Sequence, residues 1–88
     1  MITKTNEETV KEILQTADLP KSKEHIAKSL DSLVAIKNDY NRDLDKLNNL
    51  IEKDKKNLSL LAERNKLKFS IIYCESAIKA LMTNLNNN

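Results

Sequence analysis

The chain contains no glycine and only one proline in 88 residues. Glycine is the usual residue for tight turns, for helix C-caps and for loops that approach a phosphate closely. A chain without it is poorly equipped for hairpin strands or phosphate-cradling loops, so the expectation is helix nearly throughout. Tyr40, Phe69 and Tyr73 are the only aromatic residues, and valine occurs only at Val10 and Val34. The core must therefore be built from leucine and isoleucine, which suits helix seams better than packed sheets. The length allows one domain with a small core, placed at residues 1–85 with 86–88 as a frayed tail.

The first helix starts at Thr5-Asn6-Glu7-Glu8, a capping-box pattern in which the Thr5 hydroxyl accepts from the Glu8 amide. Val10, Ile13, Leu14 and Ala17 then give one apolar face. Pro20 closes this element, because Leu19 before it is pushed out of the helical region. A second helix begins with Pro20 at its first position or with Ser22 as its cap.

From there Ile26, Leu30, Leu33, Tyr40, Leu44, Leu47 and Ile51 follow each other by threes and fours, interrupted only by Lys37. A further run, Leu67, Ile71, Cys74, Ile78, Leu81 and Leu85, has the same spacing but is offset by one position from the first. Either the chain turns near 53–57 and runs back, or one helix continues through a stutter. The turn is favoured: segments 22–52 and 58–86 match in length, about 45 Å each at 1.5 Å per residue. Against it, the turn lacks glycine, and Glu52 and Lys56 make a good helical pair; Asn57 is the one residue there that tolerates a left-handed conformation. Asn38-Asp39-Tyr40-Asn41 is a second weak point, where a break would give four helices. Asn84 to Asn88 is expected to fray, with Leu85 still able to pack. The fold expected is all-α: a short N-terminal helix followed by a long antiparallel helical hairpin, as a three-helix bundle or a coiled-coil-like assembly.

Composition limits the chemistry. His25 and Cys74 are the only soft metal ligands, too few for a structural zinc site. His25 reads as a solvated first-turn residue and Cys74 as a buried, inert thiol in the seam. Glu7–Lys11, Glu24–Lys28 and Glu75–Lys79 read as surface pairs. Leu60-Leu61-Ala62-Glu63-Arg64-Asn65-Lys66-Leu67 is similar to the first-helix signature of the all-helical chorismate mutases, which implies that Arg64 and Lys66 would hold substrate carboxylates. The match covers eight residues in the last third of the chain, whereas that family has it near the start, and Arg42 is the only other arginine. No catalytic residue, cofactor site or metal site is assigned, and the chain is expected not to be an enzyme.

Charge is unevenly spread. Residues 1–45 hold seven basic and nine acidic side chains, and residues 46–88 hold eight and four, leaving the second half mildly basic. Lys53, Lys55, Lys56, Arg64, Lys66 and Lys68 fall within sixteen residues and could contact a polyanion. No aromatic platform for bases accompanies them, so accessory nucleic-acid binding is the second expectation. The first is a non-enzymatic interaction protein, such as an adaptor, inhibitor, immunity factor or chaperone, paired with another protein or with itself. Leu30, Leu33, Leu44, Leu47, Ile71, Ile78 and Leu81 are its candidate contacts, whether with the internal core or with the partner. No apolar run approaches a membrane span, no membrane attachment is expected, and Met1-Ile2-Thr3-Lys4 shows no signal pattern. With one unpaired cysteine, this makes the expected location cytoplasmic. Thirteen lysines against two arginines, with abundant asparagine, point to an A/T-rich genome such as that of a low-GC bacterium or its phage.

Overall fold

Three capping side chains set where the helices begin. In a computed structural model describing residues 4–87, α1 spans Asn6–Thr16, α2 Lys23–Lys53 and α3 Leu58–Asn86, with no strand among the described residues. Met1–Thr3, on which the reading of the N-terminus rested, and Asn88 of the expected tail lie outside the described residues. Thr5 Oγ1 accepts from the Glu8 amide at 3.1 Å, and Glu7 and Glu8 place negative charge on the positive end of α1. Ser22, rather than Pro20, starts α2; its Oγ accepts from the His25 amide at 3.1 Å. Pro20 stands in the connection, where it keeps α1 from continuing.

The chain turns where the change of phase placed the break. Asp54 leaves the helix at φ −145°, ψ 74°, and Asn57 restarts it. Asn57 does not use the left-handed conformation that its residue type allows: no described residue has a positive φ. It is the N-cap of α3 instead, with Oδ1 accepting from the Leu60 amide at 3.3 Å and Nδ2 donating to the Asp54 carboxylate at 3.2 Å. Four residues, none with a positive φ, reverse the chain, so glycine is not needed. The weak stretch Asn38–Asn41 does not break α2, and Arg42 pairs there with Asp39 one turn away. Of the three expected i,i+4 surface pairs, Glu24–Lys28 closes at 3.8 Å. Exposed as it is, that pair contributes a few tenths of a kcal/mol.

The end of α3 corrects another expectation. Asn84 does not fray; its Nδ2 donates to the carbonyls of Ala17 at 2.7 Å and Leu19 at 2.8 Å. Both carbonyls belong to the connection after α1 and have no helical partner of their own. Satisfying them fixes the α1–α2 connection against the last turns of α3.

α2 and α3 pack side by side as an antiparallel hairpin in a molecule 49 Å long, close to the length of a 31-residue helix. α1 packs mainly on α3 and less on α2. Val10 and Ala17 join Ile26, Leu33 and Ile36 of α2 and Cys74, Ala77 and Leu81 of α3 in one buried cluster. This core lies at the end of the hairpin away from the turn. Ile51 and Ile71 are buried outside this cluster.

Ile36 and Ala77 are absent from the seams read off the sequence. Each neighbours a seam position on the side that serves α1, so the three-and-four spacing of a two-helix seam passes over them.

Candidate interaction surfaces

Of the seven seam residues expected as core or partner contacts, three are buried and four are half-buried. Leu33 and Leu81 have no exposure and Ile71 is buried. Leu30 and Ile78 pack half-buried against the core cluster, and Leu44 is half-buried. Leu47, also half-buried, lines an open cleft of about 330 Å³ with Tyr40, Asp43, Glu63, Lys66 and Leu67. A second cleft of about 300 Å³ adjoins it and shares Glu7, Tyr40 and Ser70. Burial, and then the Glu7 carboxylate, push the Tyr40 phenol above its ordinary pKa. Ser70 is committed to its own helix, its Oγ donating to the Lys66 carbonyl at 3.2 Å. Among the described residues, no three His, Cys, Asp or Glu side chains gather where they could hold a metal ion.

The basic residues that are close in sequence are not close in direction. Lys53, Lys55 and Lys56 are exposed around the turn, beside the exposed Glu52 and Asp54. Lys66 lines the cleft. Lys68, two residues on, points about 200° around the helix from it. Arg64 is half-buried, and its Nε is enclosed without a hydrogen-bond partner. The same angular argument separates Arg64 from Lys66.

Cys74 is fully buried, and its thiol donates to the Leu33 carbonyl at 3.2 Å. Burial raises its pKa above the ordinary 9.0; Glu75 adds to the rise and Lys37 partly opposes it. The folded protein therefore keeps a proton that the unfolded chain releases. The stability from this group is complete below about pH 9 and is lost as pH rises through the folded pKa. Tyr40 acts in the same direction above its ordinary value of 10.0. The urea midpoint is expected to hold near neutral pH and to fall above pH 9, with a shallower alkaline fall in Cys74→Ala. Equal slopes for the two proteins would show that the thiol does not contribute.

The surface that the sequence seams did not reveal is the outer side of α3. Leu58, Phe69 and Ile72 are 78%, 60% and 56% exposed. With the exposed Ala62 and Asn65 they follow a four-three-four-three spacing of their own, so all five share one side of the helix. The buried run of α3, including Ile71, Cys74 and Leu81, lies on other sides. α3 is thus apolar on two sides, a pattern expected of a helix with neighbours on both. The signal was present at residues 58, 62, 65, 69 and 72, but alanine and asparagine in the stripe left the Leu/Ile seam more conspicuous.

Comparison with known proteins adds no relative: no protein-family model, curated protein or solved structure matches the chain. No helix among the described residues is long and apolar enough to cross a membrane.

Proposed function

We propose that this chain is a non-enzymatic interaction protein that binds another helical protein surface through the outer side of α3. The observation that supports this reading is the exposed stripe of Leu58, Phe69 and Ile72 on a helix whose opposite side already packs in the core. Burying such side chains against a partner returns about 25 cal/mol per Å² of apolar area. Their spacing is that of an amphipathic helix laid on a second apolar surface. Phe69, with Tyr73 beside it at 58% exposure, supplies the kind of aromatic anchor on which binding energy concentrates. Nucleic-acid binding is the weaker reading, because the lysines disperse around α3 and those at the turn sit beside Glu52 and Asp54.

Phe69→Glu tests the proposal. The site is exposed, so folding stability should change by no more than about 0.5 kcal/mol. Affinity capture from source cells, read by mass spectrometry, should recover proteins with the native chain that the variant does not retain. Identical sets from the two would reject this surface.

A further inference from the structure

We infer that the occupant of the α3 stripe is a second copy of the same chain, docked antiparallel about a two-fold axis at Asn65. This rests on the reading of the stripe as a binding surface and adds the identity of what it binds.

The stripe is nearly palindromic. Counted outward from Asn65, Ala62 lies three residues before it and Phe69 four after; Leu58 lies seven before and Ile72 seven after. An antiparallel partner therefore sets Leu58 against Ile72 and Ala62 against Phe69, at both ends alike. The small side chain faces the large one, which gives the phenyl ring room. A parallel, in-register pairing would crowd Phe69 against Phe69 and leave a gap between the alanines.

On the axis, the Asn65 side chains of the two copies meet. Each amide offers both a donor and an acceptor, so the pair can satisfy itself. One polar residue in an apolar seam is a known means of fixing register. Because the same patch serves both copies, the assembly closes at two.

Lys68, three residues after the axis, flanks the stripe with positive charge in both copies, which limits affinity. The stripe is about 21 Å long from Leu58 to Ile72. Stable interfaces begin at about 1,200 Å²; a stripe this short favours a weak dimer, with a dissociation constant on the order of 10 µM.

Sedimentation equilibrium of the full chain should show a monomer–dimer equilibrium that Phe69→Glu weakens at least about tenfold, with an unchanged thermal melt. The register is tested by cross-linking in a Cys74→Ala background. Asn65→Cys, on the axis, should oxidise to a disulfide-linked dimer. Ser76→Cys is exposed on the same side of the helix but about 16 Å from the axis, and should stay monomeric on a non-reducing gel. A parallel dimer would link both variants and overturn the proposed register. A native chain that stays monomeric at several hundred micromolar overturns the inference altogether. If that monomer still captures a different protein that Phe69→Glu loses, the binding surface stands and only the identity of its occupant is wrong.

Discussion

Replacing Leu33 or Leu81 with alanine should lower the unfolding free energy by about 3 kcal/mol. Both side chains are fully enclosed in the cluster where α1 meets the hairpin. Each truncation removes apolar area from burial and leaves a void that neighbours on rigid helices fill only in part. A domain of this size has roughly 4–13 kcal/mol of stability in all, so either change removes about a quarter of it or more. Urea titration followed by helical circular dichroism would show the midpoint move to much lower denaturant. Leu58→Ala is the control: at 78% exposure it should cost less than about 0.5 kcal/mol. Equal losses at Leu33 and Leu58 would mean that the buried and the free sides of the hairpin have been confused.

That contrast also marks what the sequence could convey. A four-three spacing says that a side of a helix is to be covered, and lack of glycine says that helices are what there is to cover. Together with the shift of phase after Ile51, they were enough for the hairpin, its turn and the short helix before it. They do not say what covers a given stripe. Leu33 and Leu81 are enclosed in the cluster that α1 joins, while Leu58 and Phe69 stay mostly exposed, yet both sets are spaced alike. Asn84 shows the same limit for a polar residue: its partners are the carbonyls of Ala17 and Leu19, more than sixty residues away. Locally it is only one asparagine in an asparagine-rich tail. Asn57 could have been a left-handed turn residue or a cap, and residue type alone favours neither. The lysines mislead in another way, because nearness along a helix means 100° of rotation per residue. Lys66 and Lys68 therefore cannot share a face.

The dependence of α1 on the rest of the fold leads to the last expectation. Eleven residues are too few for a stable helix in water, so α1 holds its shape by docking through Val10 and Ala17, with Ile13 and Leu14 half-buried beside them. Val10→Asp places a carboxylate in the buried apolar cluster beside the Glu7 side of the cleft, at a cost of several kcal/mol if it stays buried. Releasing α1 avoids that cost at the expense of one side of the core. The variant should lose roughly a sixth of its helical signal, bind a hydrophobic dye through the uncovered Ile26, Leu33 and Leu81, and exchange the amides of α1 near the unprotected rate. Protection should persist around Ile51 and Ile71, which are buried outside the cluster that α1 joins. Loss of protection there at the same rate as in α1 would mean that the three helices fold as one unit, and that the hairpin cannot stand without its cover.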